Sequence, residues 1–473
     1  MIEVARFLIF SIPIRDEQMN ITKAARFIGS PRQWLKDDLL RRLIANATML
    51  FSGNMAASVL GLASLALTAR ALGVEQFGIL VLITTYVTIV SSLFTFQSWQ
   101  AIIKYGADAL EQKREQDFKS LIKFGFMLDG ATVIVATVLA STVASFIGQW
   151  KDWDMQHVLM ATIYSATILF HLNGTPIGIL RLFDRFKKIA YQNVIAAIIK
   201  LLGVTIAYAM GTGIWGFLLV WAIVDILGKL VLIYFAFQEL SHQKIHGVMQ
   251  GSARNISNKF NGIWGFVWTT NINSSVRMTT REMDVMIIAV MLGPIAVGLY
   301  KIAKQFAAII QRMIDPLYQS IYPELARLFS KGAIEEFVRF GGRASVLAGL
   351  IALGSWFVFY FFGDYIIRLT VGMAYSDAID VMLWYMMAIV VAAVAFPLQP
   401  AMLSMGRPHM TFWVHMAGTV IYFAVLFSFL PVFGLIGAGI AYLIYYISWS
   451  LAMLAIEAVL ISRRSVFNAA PTD

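Results

Sequence analysis

The 473-residue chain contains no cysteine, which removes disulfides, thiolate nucleophiles, iron–sulfur clusters and cysteine-ligated zinc from consideration. Charge is scarce too: Asp, Glu, Lys and Arg make up 14% of the residues, against roughly 25% in an ordinary soluble domain. Histidine is rare, and only His242 and His246 stand at helical i, i+4 spacing. No third ligand lies near them, so no metal site is expected. Long polar segments are missing on one side of the chain's apolar runs, where the linkers are 211–213, 293–294, 431–434 and, longest, 363–373. That leaves no room for an extracytoplasmic catalytic domain, so the chain is not expected to be an enzyme, and no cofactor is expected.

What is present is apolar sequence, 59% of the residues. Segments long enough to cross a ~30 Å hydrocarbon core fall near 44–72, 75–100, 119–148, 155–180, 188–211, 213–238, 260–292, 294–322, 340–362, 374–404, 408–431 and 433–461. The expected fold is therefore an all-α membrane protein with about twelve transmembrane helices. An even count puts both termini on one side. Of the 37 Lys and Arg residues, 27 lie in segments on the N-terminal side and three, Arg70, Lys151 and Arg368, on the other. The positive-inside rule then places both termini in the cytoplasm. The net charge of +10 is accounted for by this topology, and no nucleic-acid partner is expected.

Residues 1–42 form a separate basic stretch with Arg15, Lys23, Arg26, Arg32, Lys36, Arg41 and Arg42, read as a cytoplasmic amphipathic extension. The short apolar core in Met1 to Pro13 has no small-residue cleavage site, and a start codon placed too early would also explain the stretch. The remaining organisation is an N-terminal six-helix lobe (43–240), a cytoplasmic linker (241–259), a C-terminal six-helix lobe (260–462) and a tail (463–473).

The division into lobes rests on an internal repeat. Leu72-Gly73, four residues and Gly78 recur as Leu292-Gly293, four residues and Gly298, a shift of 220. Pro176 maps to Pro397, and Gly213-Ile-Trp-Gly216 to Gly434-Leu-Ile-Gly437, both at 221. With six helices per repeat, the lobes run parallel about an axis along the membrane normal, and a substrate site is expected between them. Gly211-Thr-Gly213-Ile-Trp-Gly216 also fits the dinucleotide pattern G-x-G-x-x-G, but no strand precedes it, so the match is accidental.

Seven basic residues sit inside the spans: Lys200, Lys229, Arg277, Arg281, Lys301, Lys304 and Arg312. Each would cost about 2.5–3.5 kcal/mol facing lipid at the bilayer centre, so each must face protein or water. Asn273, Arg277, Arg281 and Asp284 share one face of the seventh helix, and Lys301, Lys304, Gln305, Arg312 and Asp315 form a stripe on the eighth. Ion pairing, for example Asp284 with Lys301 or Asp315 with Arg312, is one reading. The other is a hydrated cationic lumen, favoured because five bases face three acids, Glu282, Asp284 and Asp315. Arg277, Arg281, Lys301, Lys304 and Arg312 are accordingly the candidate substrate-binding residues, and Asp129, Glu282, Asp284 and Asp315 the candidates for ion coupling or ion pairing. Asp225 and Lys229 read as a structural i, i+4 pair. Lys200 and Asp129 have no sequence-local partner, and His171 and His415 read as hydrogen-bonded packing residues.

Three segments carry a family resemblance. Ala71-Leu72-Gly73-Val-Glu-Gln-Phe77-Gly78, the passage from Asp284 through Leu292-Gly293 to Gly298-Leu-Tyr300-Lys-Ile-Ala303, and Tyr322-Pro323-Glu324-Leu-Ala-Arg327 resemble polysaccharide transport flippases of the multidrug/oligosaccharidyl-lipid/polysaccharide exporter superfamily. The resemblance covers about residues 43 to 462. It implies a two-lobed bundle in the bacterial cytoplasmic membrane that moves an undecaprenyl-pyrophosphate-linked oligosaccharide to the outer leaflet for lipopolysaccharide O-antigen or exopolysaccharide synthesis. It also implies membrane lipids as partners, with a glycan polymerase or chain-length regulator alongside. The chain departs from the family's picture in its first helix, which has no basic residue before Arg70. A multidrug/ion antiporter of the same superfamily is the alternative, disfavoured by the basic excess; a membrane glycan polymerase or ligase is the alternative from another class.

Overall fold

The computed structural model describes the backbone of residues 38–96, 98–150 and 154–468, and side chains from Met55 to Ile461 except at 97, 147–153, 273–281, 315–316, 318–320 and 408. Most of the basic extension therefore lies outside the described residues. The chain divides into Met1–Met49 and Leu50–Asp473; in the first part, residues 38–49 are helical, and everything below concerns the second.

The described residues are helical almost throughout, with no strand among them. Ten of their helical stretches are long and apolar enough to cross a membrane. Two of the ten, Met55–Glu111 and Glu282–Ile314, contain backbone breaks at Gly73 and Gly293 and so count for two spans each, which accounts for the twelve apolar segments. Gly73 has φ 70, ψ 175 and Gly293 φ 82, ψ −179, a region open essentially to glycine alone. No atom lies within 4 Å of a Cβ built on either, so conformation and not space demands glycine there. The break at Gly293 reverses the chain. In an unbroken helix Asp284 and Lys304 would be about 30 Å apart, yet their side chains meet at 2.9 Å.

The second glycine of each motif does a different job. A Cβ on Gly78 would lie 1.8 Å from the Pro294 carbonyl oxygen, and one on Gly298 would lie 2.5 Å from the Val74 carbonyl oxygen. Val74 and Pro294 are separated by 220 residues, as are Gly78 and Gly298, so the two turns pack on each other reciprocally. That self-complementary contact is what a two-fold axis between duplicated halves produces. Around it, Arg70 donates to the carbonyls of Arg368 and Leu369, and Tyr375 Oη donates to the Ala69 carbonyl at 3.0 Å. This end of the bundle is closed, lobe against lobe.

The linker and the start of the seventh helix belong by packing to the first lobe. Ile245, Val248, Ile256, Phe260, Ile263 and Val267 are buried in one cluster with Ile102, Phe118 and Leu121, and Lys259 donates to Ser120 Oγ at 2.7 Å. The same helix, Ile263–Ser330, contributes Val285 and Ile288 to the core it shares with the second lobe. It therefore runs from one lobe to the other through residues 268–284. His242 and His246, at the beginning of the linker, are both exposed, and no group of three metal-ligating side chains occurs among the described residues.

Candidate functional site: one cavity in each lobe

Each lobe encloses a cavity. The first, about 510 Å³, is bounded by the Asp38–Phe94, Phe186–Met210 and Gly213–His242 helices and by the broken segment around His171. There the helix Met155–Ser165 tightens into a 3-10 turn, Ala166–Phe170, and the chain restarts at Gly174–Leu182. The interruption frees His171 to point across the lobe. Its Nδ1 is 2.8 Å from Ser91 Oγ and its Nε2 2.6 Å from Asp225 Oδ2. Lys229 approaches the other carboxylate oxygen less closely, at 3.9 Å, so the pair expected from i, i+4 spacing exists but His171 is the nearer partner. Lys200 Nζ lies 3.5 Å from the centre of the Trp221 ring, a cation–π contact that spares it an ion pair.

Asp129 stands behind this cavity's wall. Its carboxylate accepts the backbone N–H of Thr175 at 2.8 Å, at the start of Gly174–Leu182, where free N–H groups and the helix dipole favour a negative charge. A Cβ on Gly174 would meet Ser98 Oγ at 2.1 Å and the Asp129 carboxylate at 3.1 Å. The partner that sequence spacing does not supply is thus a helix end.

The second cavity, about 560 Å³, is lined by Glu282, Asp284, Lys301 and Lys304 on one side and by tyrosines on the other. Asp284, 3% exposed, is fully engaged: it accepts from Tyr300 Oη at 2.7 Å, from Lys304 Nζ at 2.9 Å and from the Val285 N–H at 2.7 Å. The pairing of Asp284 with Lys301 offered by the sequence is corrected, since Lys304 occupies that place. Lys301, one turn back, lines the same cavity as Glu282. Among the described side chains of this cavity, two bases thus face two acids.

Of the remaining candidates, Arg312 does not line the cavity. The backbone of Arg277, Arg281 and Asp315 is helical, but their side chains lie outside the described residues. What the sequence reading missed is the first cavity: His171, Asp225, Lys229 and Lys200 converge there, although none was among the site candidates.

The two cavities are copies of one another. Thr88 and Ser91 of the first correspond at a shift of 220 to Ala308 and Gln311 of the second, and Tyr164, Trp221, Val224 and Asp225 correspond at 221 to Tyr385, Tyr442, Tyr445 and Tyr446. The repeat visible in glycines and prolines extends to the cavity walls. It would have located both from sequence had aromatic and charged positions been aligned as well. Lys200 lines the cavity of the first lobe and Lys301 that of the second.

Residues 43–329 match the family described as polysaccharide biosynthesis protein. Inner membrane protein YghQ of Escherichia coli (strain K12) is 30% identical over 349 residues, 74% of this chain and 98% of that protein. The chain belongs to the polysaccharide biosynthesis protein family. It is a multi-pass membrane protein, and its fold is that of the exporter superfamily the sequence resembles. An inward-facing multidrug resistance MATE family transporter of the MOP superfamily superposes with a TM-score of 0.68 at 14% identity, covering 88% of this chain and 96% of the other. The lipid II flippase MurJ in an inward closed conformation gives 0.67 at 15% identity, covering 90% and 93%.

Proposed function

We propose that the protein is a flippase that moves an undecaprenyl-pyrophosphate-linked oligosaccharide from the inner to the outer leaflet of the bacterial cytoplasmic membrane. The observation that carries the reading is that the duplicated cavities are both lined by lysines within the membrane spans, Lys200 and Lys229 in the first lobe and Lys301 and Lys304 in the second. Basic groups inside a membrane are costly unless they meet an opposite charge, and a pyrophosphate reached by lysines of both lobes would draw the lobes onto itself. Arg277, Arg281, Lys304 and Arg312 are the further basic residues that attract the pyrophosphate in this reading. The family supports a glycan-related cargo, and the inner-membrane relative supports the location.

Transport in this reading is by alternating access. With both termini cytoplasmic, the closed contact of Gly78 on Pro294 and Gly298 on Val74 is the outer gate. The substrate is loaded at the opposite, cytoplasmic end in this reading. Rocking about the axis between the duplicated turns exchanges the open and closed ends. Moving an anion outward across an inside-negative membrane gains about 2.3 kcal/mol per charge per 100 mV, so membrane potential favours export of a pyrophosphate to the extent that the protein's lysines do not neutralise it. Glu282, Asp284 and Asp129 remain the acids through which an ion could couple, and a glycan polymerase or chain-length regulator is the expected neighbour on the outer face.

The test is exposure of a lipid-linked oligosaccharide to an external lectin in liposomes containing the purified protein. The reading expects exposure that is dependent on the protein and accelerated by an imposed potential of the correct sign. Exposure no faster than in empty liposomes would overturn it.

A further inference from the structure

The duplicated cavities differ at matched positions, and the difference points to what the second one holds. Where the first lobe has Val224 and Asp225, the second has Tyr445 and Tyr446, and Trp221 is matched by Tyr442. Tyr442, Tyr445 and Tyr446 occupy one face of the Ile436–Asn468 helix. Tyr385 stacks flat on Tyr442, with ring centres 4.2 Å apart and planes 11° from parallel. Hydrogen bonds brace the set: Tyr442 Oη to Tyr446 Oη at 3.2 Å and His415 Nδ1 to Tyr445 Oη at 3.0 Å.

Packing alone does not call for these residues. In a membrane-spanning bundle each hydroxyl must find a partner or incur a desolvation cost, and phenylalanine or leucine would fill the same space without it. Here the rings line a cavity whose described charges cancel and whose rim carries Gln305, Gln311 and Glu282. A glutamine offers both donors and an acceptor, and a carboxylate accepts from several hydroxyls. A pyranose ring needs those two things together: an aromatic surface for its C–H face and mixed donors and acceptors for its hydroxyl edge.

We propose that the tyrosine-lined cavity of the second lobe is a carbohydrate subsite that stacks sugar rings of the cargo, while the anionic group sits between the lobes. The assignment rests on the flippase reading, but it concerns neutral sugar, not pyrophosphate, and can be tested without transport. The full chain in lipid nanodiscs is mixed with methyl glycosides of common hexoses and N-acetylhexosamines, and saturation transfer from protein to sugar protons is measured by NMR.

Transfer is expected at ring C–H protons. It should fall about three- to tenfold in Tyr446→Ala, as loss of a stacking contact implies, and fall less in Tyr446→Phe, which keeps the ring and loses one hydroxyl. Gln311→Leu, at an exposed rim position, should weaken it severalfold without disturbing the tyrosine packing, and serves if Tyr446→Ala does not fold. No transfer above empty nanodiscs, or equal transfer in wild type, Tyr446→Ala and Gln311→Leu, overturns the proposal. Glycoside contact in a chain that moves no lipid-linked glycan would leave the subsite standing and remove the flippase reading; transport with no contact would do the reverse.

Discussion

The first cavity manages its charge with a chain of hydrogen bonds and an aromatic face, the second with one compact ion pair. In the first, Asp225 is 28% exposed and shares its charge with His171 and, at longer range, Lys229, while Lys200 leans on Trp221. In the second, Asp284 is 4% exposed at its side chain and bonded to Lys304 and Tyr300. A common ancestor wall has thus diverged into a net basic cavity with a partly exposed carboxylate and a balanced, tyrosine-rich one with a buried carboxylate. Duplication fixed where the cavities are; substitution within them decides what each can hold.

The largest effect expected from that contrast is at the buried pair. Lys304→Ala leaves a buried carboxylate without its cation and should cost about 3–5 kcal/mol, read as a lowered melting temperature in detergent. Asp284→Asn combined with Lys304→Gln should recover most of the loss. Asp225→Asn in the first cavity should cost less, about 1–3 kcal/mol, because its surroundings are partly solvated. Equal losses in the two cavities would erase the distinction between them.

Next in size is the backbone. Gly73→Ala and Gly293→Ala should each cost about 1–3 kcal/mol and by similar amounts, because both breaks share one conformation; a loss at only one would deny that the turns are equivalent. Smallest is Tyr445→Phe, which removes the bond to His415 at about 0.5–1.5 kcal/mol, again measured by thermal unfolding. The absence of native cysteine makes the closed end accessible to a further check: a short bis-maleimide should join Arg70→Cys to Leu369→Cys in membranes and stop transport.

Spans and repeat were legible because they depend on long apolar runs and on glycines that no other residue replaces at Gly73 and Gly293. The breaks in the helices follow directly from those glycines. Side-chain convergence was less legible, because it depends on which helices meet. His171 and Asp225 are 54 residues apart, and only the 3-10 interruption at Ala166–Phe170 turns the imidazole toward the carboxylate. Asp284 chose Lys304 over Lys301 because reversal at Gly293 sets 284 opposite 300 and 304, one turn beyond the residue that adjacency suggested. Asp129 looked unpaired because its partner is a backbone N–H, which no residue type announces.

The central proposal is that lysines of both duplicated cavities, Lys200 in the first and Lys301 in the second, hold an anionic group carried by the substrate. The direct measurement is liposome translocation of a lipid-pyrophosphate oligosaccharide by the Lys200→Ala, Lys301→Ala double variant at matched protein content. The account predicts near-complete loss of protein-dependent translocation with normal folding and lobe contact. Wild-type rates in the double variant would contradict it.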